Sequence, residues 1–336
     1  MLMEMVKLLF SRYSEMVPPN RTNFVEGDVS DQTGKVFLVT GGSSGIGLEL
    51  SRILYYKGGR VFIGGRSETS FAAAVESIKS APAEGCENSK VRGTLEFLAM
   101  DLCDLTTIKH AADELLSKVD RLDIAWYNAG VMAPPAGSKT KQGFELQWGT
   151  NVLGHFLLNK YLSDLQMKTA KNAPRGAVRT IWVSSIGHNL GPKPNLINID
   201  DVNFENVSNP DPWVGYGQSK AGDIVLAYEY ANHVSGSGIA SFSVHPGNLK
   251  TNLTRHQGIW GQKLAQRVLK EPRYGALTEL YAGFSDEPID NDLSTKYIIP
   301  WGRIGRMNET LNMALQNEDF GTKVWNLCEK QVAPYD

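Results

Sequence analysis

Short apolar runs rich in β-branched and aromatic residues recur along the chain, at Lys35–Thr40, Val61–Gly64, Thr94–Ala99, Leu122–Tyr127, Val178–Ser184, Ile239–Val244 and Lys296–Ile299. Each reads as a buried strand. The segments between them carry apolar residues at helical spacing, most clearly Ile46, Leu50, Ile53 and Leu54. Strands alternating with helices imply βαβ units and an α/β fold with a parallel, doubly wound sheet. At 336 residues the length permits two domains. A single α/β domain is the simpler reading, because no internal repeat, low-complexity linker or charge block divides the chain.

The first strand runs directly into Gly41-Gly42-Ser43-Ser44-Gly45-Ile46-Gly47 and then into the helix. Strand, glycine turn and helix together make a dinucleotide-binding context. Glycines let the backbone turn tightly and approach a pyrophosphate, which the amide-rich helix N-terminus attracts. The spacing, Thr40-Gly41-x-x-x-Gly45-x-Gly47, differs from Gly-x-Gly-x-x-Gly, and the bland alternative is a glycine-rich turn with no ligand. The second strand ends in Gly65-Arg66, where an NAD site would want a carboxylate for the adenosine ribose hydroxyls. A cation there suits a 2′-phosphate, so the expected cofactor is NADP(H); the alternative for Arg66 is a solvated loop arginine.

Tyr216 and Lys220 stand four residues apart in Gly215-Tyr216-Gly217-Gln218-Ser219-Lys220-Ala221-Gly222. On a helix their side chains share a face, with Cβ atoms about 5–6 Å apart. A lysine ammonium beside a phenol favours the phenolate by charge attraction, which suits proton exchange. Alone, Tyr-x-x-x-Lys is also the spacing of many surface pairs. Its weight comes from the glycine loop upstream.

Taken together, these motifs resemble those of the short-chain dehydrogenase/reductase family, in the family's order, from about Gln32 to Lys330. The resemblance implies a Rossmann-type fold with a C-terminal helical segment, at about residues 251–300, covering the substrate. It implies cofactor contacts from Thr40, Gly41, Ser43, Ser44, Gly45, Ile46 and Gly47, with Asp101 and Leu102 near adenine. Asn128, Ala129 and Gly130 look like the segment supporting the central sheet, and Pro246, Gly247 and Thr251 like the nicotinamide-side loop. Asn151, Ser185, Tyr216 and Lys220 match the catalytic tetrad. In the family pattern Lys220 also binds the nicotinamide ribose, and Asn151 interrupts its helix to position a water relaying protons to Lys220. Strand alternation would point the adjacent Ser184 and Ser185 to opposite sides, and the family pattern selects Ser185. Tyr-Gly-Gln-Ser-Lys, His-Pro-Gly-Asn-Leu-Lys-Thr-Asn-Leu and Ile-Pro-Trp-Gly-Arg-Ile-Gly look closest to the retinol-dehydrogenase-like branch and its filamentous-fungal members. Two features depart from the plain pattern. Tyr127 replaces a second Asn before Asn128, and the stretch from Gly187 to Trp213 is longer than in many members and must loop out.

Composition narrows the partners. A net charge of −2 argues against a dedicated nucleic-acid surface. Three widely spaced cysteines, Cys86, Cys103 and Cys328, suggest reduced thiols in a cytoplasmic setting. No Cys/His cluster has metal-ligand spacing, and a structural or pocket-lining role is expected for His188 and His245. Residues 1–31 precede the first strand and are expected to stand outside the domain at 32–336. Their apolar start, Met1 to Phe10, is interrupted by Glu4 and Lys7 and too short for a stable membrane span. A helix packed on the domain or its partner, or one lying on a membrane surface, would fit. A homo-dimer is one option for assembly.

The expected reaction is NADP(H)-dependent interconversion of a carbonyl and an alcohol on a lipophilic small molecule, of the kind found in secondary metabolism. Trp213, Trp260, Tyr274 and Trp301 are candidate pocket aromatics, since an aromatic-lined cover suits an apolar substrate; the alternative for each is the core. Two other readings stay open. One is a non-redox or net-neutral enzyme of epimerase or dehydratase type, and the other is a non-catalytic, cofactor-binding regulatory protein.

Overall fold

A computed structural model describes Glu15, Pro19 and residues 21–250, 269–290 and 293–336. Seven parallel strands and one antiparallel edge strand form a single sheet in the order β3-β2-β1-β4-β5-β6-β7-β8. The strands are β1 (Val36–Thr40), β2 (Arg60–Gly65), β3 (Thr94–Ala99), β4 (Ile124–Tyr127), β5 (Val178–Val183), β6 (Ile239–Val244), β7 (Tyr297–Ile299) and β8 (Arg303–Ile304). Every strand expected from the apolar runs is present, with ends moved by a residue or two. Only β8, two residues long, has no apolar run to announce it.

Both faces of the sheet are covered, which is why its strands read as nearly continuous apolar runs. In β1, Phe37 and Val39 pack with α1 (Gly45–Tyr56), whereas Val36 and Leu38 join the core on the opposite face. The first face also takes Ile78 of α2 (Glu68–Ser80), and later the helix Pro272–Phe284. The second face takes α3 (Ile108–Lys118), α4 (Gly154–Ala170) and α5 (Pro212–His233). After α6 (Pro272–Phe284), the C-terminal α7 (Glu309–Gln316) and α8 (Glu318–Val332) add to that second core. Strand order reverses between β1 and β4, the switch point at which a crevice opens outside the carboxyl ends of a doubly wound sheet.

The chain before β1 does not stand apart where it is described. Val29 is buried in the core beside α1, and the buried Glu26 carboxylate takes a two-pronged ion pair from Arg273 of α6, at 2.7 and 2.8 Å. Met1 to Phe10 lies outside the described residues, as do Thr251 and Trp260. Among the described residues no helix is long and apolar enough to cross a membrane, and no group of three or more His, Cys, Asp or Glu could hold a metal ion. The three cysteines are free thiols.

Candidate active site

A cavity of about 940 Å³ lies at the switch point. Its first wall is the end of β1 and the loop that follows. Gly41 and Gly45 have φ of +68° and +56°, a region that favours glycine. A Cβ on Gly47 would lie 2.6 Å from both Asn128 Nδ2 and Gly41 O, so glycine there is required for close packing of α1. Asn128 Nδ2 donates to Thr40 O at 2.8 Å, and the Ala129 amide donates to Thr40 Oγ1 at 3.0 Å. These bonds hold the β1 and β4 ends together. Ser44 caps α1 without a side-chain hydrogen bond, leaving the first amides of the helix without that competitor. Arg66, exposed just after β2, and Asp101 and Leu102, just after β3, also line this wall.

Tyr216 and Lys220 lie on α5, whose start is set by Pro212 at N1 and by Asp211, which accepts from the Trp213 amide at 2.9 Å. The Lys220 ammonium is 6.0 Å from the Tyr216 ring centroid, and both residues line the cavity. Lys220 Nζ donates to Val183 O at 2.7 Å and to Asp223 Oδ2 at 2.8 Å. A Cβ on Gly187 would sit 2.7 Å from Tyr216 Cε1 and 3.3 Å from Ser185 Oγ. Tyrosine and serine therefore meet beside Gly187, where the absence of a side chain lets the Tyr216 ring pack this close.

The two serines differ. Ser184 Oγ donates to Lys220 O at 2.6 Å and is 2% exposed, so its hydroxyl is committed to the backbone. Ser185, half-buried at the cavity, caps the 3₁₀ turn Ile186–Leu190 by accepting from the Gly187 amide at 3.0 Å, and its own proton is uncommitted in that bond.

Asn151 sits in a π-helical turn, Trp148–Leu153, ahead of α4, the kind of helical interruption common at functional sites. It is fully buried and does not itself line the cavity. Its Oδ1 accepts from the Val131 amide at 2.8 Å, and its Nδ2 donates to Val131 O and Ser219 Oγ at 3.0 and 2.9 Å. A Cβ on Gly130 would be 3.1 Å from Asn151 Oδ1 and 3.7 Å from Lys220 Nζ, so the four tetrad candidates gather within one small region.

The remaining candidates divide. Thr40, Gly41, Ser43 to Ile46, Asn128 to Gly130, Pro246 and Gly247 line the cavity, whereas Gly47 serves packing behind it. Trp213 lines the cavity with its ring 6.2 Å from Tyr216 and perpendicular to it. Tyr274 and Trp301 are not among the lining residues: their rings pack 5.1 Å apart, and Trp301, 2% exposed, lies against Gly247 in the core. Among the described residues, Trp301 thus takes the core reading, while Tyr274 is half-buried against it. Their sequence gave no sign of which way they would turn.

Other site residues escape a motif search. His155, four residues past Asn151, is wholly buried, and burial drives its pKa to about 3. It is therefore neutral. Since Asn151 O can only accept, Nδ1 carries the hydrogen to it at 2.9 Å, and Nε2 accepts from the Thr40 hydroxyl at 3.0 Å. The helical i, i+4 spacing from Asn151 was the available signal. Asp223 and Glu279 are carboxylates buried among the helix residues that pack on the sheet, and no motif announces them. Val131, Met132, Ile186, Leu190, Val214 and Leu269 supply apolar lining to the cavity.

The family model for short chain dehydrogenases matches residues 35–193. A short-chain dehydrogenase/reductase of Phomopsis amygdali is 38% identical over 326 residues, covering 94% of this chain and 95% of its own. The short-chain dehydrogenase/reductase pkfC of Emericella nidulans is 39% identical over 321 residues, covering 95% and 98%. Among solved structures, a putative uncharacterized protein from Mycobacterium Paratuberculosis superposes with a TM-score of 0.67 at 25% identity, over 93% of this chain and 98% of its own. Family members are carbonyl/alcohol oxidoreductases that use NAD(P)(H). On fold, site and similarity over nearly the whole length, this chain belongs to the short-chain dehydrogenase/reductase family.

Proposed function

We propose that the protein interconverts a carbonyl and an alcohol on a lipophilic small molecule, with NADP(H) as cofactor and Asn151, Ser185, Tyr216 and Lys220 as its working residues. The observation that carries this reading is the point beside Gly187 flanked by Ser185 Oγ and the Tyr216 ring, with Lys220 on the same helix face. A carbonyl oxygen bound between these two side chains would meet both hydroxyls. Tyr216 donates its proton to that oxygen during reduction, and Ser185 donates a hydrogen bond that strengthens as negative charge develops. The Lys220 ammonium favours the phenolate left behind. Asn151 holds the backbone at Val131 and, through its π-helical turn, the geometry beneath Gly130.

The residues present fit a dinucleotide. The loop has two left-handed glycines, a helix start whose cap leaves its amides open, and empty space beside Gly65, where an added Cβ would touch nothing within 4 Å. Ser43, Ser44, Gly45 and Ile46 would hold the pyrophosphate, and Arg66 a 2′-phosphate. When bound, the nicotinamide ring supplies or takes up the hydride. The apolar lining of Met132, Ile186, Leu190, Trp213, Val214 and Leu269 favours a sizeable lipophilic substrate, such as a ketone of secondary metabolism.

The test is an absorbance assay of NADPH oxidation over retinoid, steroid, polyketide and other lipophilic carbonyls, with the product identified. NADPH consumption matched by alcohol formation is expected. Conversion of substrate without net cofactor consumption would move the protein to the epimerase or dehydratase class.

A further inference from the structure

Lys220 carries three N–H donors, and two of them point into the protein rather than to the cavity. One meets Val183 O at 2.7 Å and the other Asp223 Oδ2 at 2.8 Å. Asp223 stands three residues further along α5, on the same helical face. It is 2% exposed and does not line the cavity. A second carboxylate, Glu279 of α6, is wholly buried, and neither of its oxygens has a hydrogen-bond partner among the described residues. Glu279 and, on α5, Tyr216 also act on Lys220 electrostatically, and the ammonium in turn helps to keep the nearby His155 of α4 unprotonated.

A buried ammonium is unfavourable unless it is paired and hydrogen-bonded. Burial alone would push the Lys220 pKa down. The opposing attractions, from Asp223 first and then Tyr216 and Glu279, outweigh it and hold the lysine above its ordinary value.

We propose that Asp223 is a positioning residue for the reaction, fixing the Lys220 ammonium in place and keeping it charged while its third N–H remains for the cavity. The inference rests on Lys220 acting beside Tyr216 as proposed above. Asp223 touches neither the cavity nor the phenol; it acts through the lysine.

The direct test titrates the Lys220 side chain by NMR in the cofactor-free, full-length protein carrying isotope-labelled lysine. The Cε resonance is assigned by its loss in Lys220→Arg. In the wild type the midpoint should lie at or above the ordinary lysine value of about 10.4, despite full burial. In Asp223→Asn, which keeps shape and an acceptor but loses the charge, it should fall by about 1–3 pH units, the usual effect of one close opposite charge. The alkaline limb of the pH–rate profile should move the same way, because removing a negative charge favours proton loss from the ammonium. A merely structural Asp223 would lower the melting temperature and move neither titration. A wild-type midpoint well below that of free lysine would overturn the inference even if Asp223→Asn did not fold, and so would an unmoved midpoint in a folded variant. An inactive wild type whose Lys220 titration depends on Asp223 would fail the reductase reading and leave the Asp223–Lys220 link standing.

Discussion

The cavity wall formed by Thr40, Gly41, Ser43 to Ile46, Asn128 to Gly130 and Lys220 is stitched where two adjacent strands end, by the Asn128 side chain on Thr40 O and the Ala129 amide on Thr40 Oγ1. The opposite wall, formed by the connection from Ser185 to Tyr216, is held by side chains from distant segments. Gln218 of α5 grips it at Asn198 and Val202, both at 2.9 Å. Asn203 accepts from the Glu145 amide, and Gln147 donates to Pro212 O, again at 2.9 Å. Leu196, Ile197, Val202 and Phe204 anchor it in the core, so the long excursion is packed rather than looped out. The first wall is a feature of the sheet, and the second is an insertion pinned onto it. On the proposed function, the first wall serves the cofactor and the second substrate choice, with Ser185 and Tyr216 at the ends of the second facing the reacting point.

Substitutions on the two walls should therefore have different kinds of consequence. The largest is expected at the reacting point. Ser185→Ala should cost about 2.7–4 kcal/mol of transition-state stabilisation, the scale of one oxyanion donor, whereas Ser184→Ala should act mainly on stability because its hydroxyl is bonded to Lys220 O. Steady-state kcat/KM for both variants checks this, and the reverse ranking would mean that the wrong serine has been placed in the site. On the first wall, Arg66→Ala should raise KM for NADPH roughly ten- to hundredfold, from a charge-assisted contact of about 1.5–3 kcal/mol, and leave KM for NADH nearly unchanged. Equal effects on both would remove Arg66 as the 2′-phosphate partner.

On the second wall, Trp213→Ala should reorder the preference among carbonyl substrates by several-fold while leaving the NADPH Kd nearly the same. Competition assays between ketones of different size read this out. An unchanged preference order with a weakened cofactor would break the division between the walls.

The smallest effects concern the buried ionisable groups behind the site. Burial holds His155 and His245 at about 3 in the fold, against an ordinary 6.5. The unfolded chain then takes up protons first as the pH falls, so the stability they allow is present above about 6.5 and lost down to about 3. Glu279 works the other way. Burial raises it from 4.5 to about 8, against the pull of Lys220, so stability present at low pH is lost as the pH rises between those values. Melting temperature should peak in between, and Glu279→Gln should flatten the alkaline decline. Parallel declines in wild type and variant from pH 5 to 8 would contradict the assignment.

The same two walls separate what was legible in the sequence. Strand runs and the glycine loop could be read because the chemistry sits at short spacing on consecutive elements, and Gly41 and Gly45 need φ values that few other residues accept. Tyr216 and Lys220 could be read for the same reason, being one helical turn apart. The second wall could not, because its order depends on pairings such as Gln218 with Val202 and Glu145 with Asn203, which no local pattern announces. Tyr274 and Trp301 show the limit most plainly. An aromatic in a covering segment and one in the core have the same local sequence character, and only the packing against Gly247 decides. His155, Asp223 and Glu279 do not stand out, because their helices carry other polar residues and only burial separates these three from the solvated ones.

The most direct test of the account compares Tyr216→Phe with the wild type in two measurements made side by side: the NADPH Kd by fluorescence titration and the turnover number with the best ketone from the screen. Removing one oxygen from a ring that stays packed beside Gly187 and Trp213 should leave the Kd within a few-fold and abolish turnover. A variant that binds NADPH normally and still reduces the ketone at the wild-type rate would contradict the claim that Tyr216 is the proton donor.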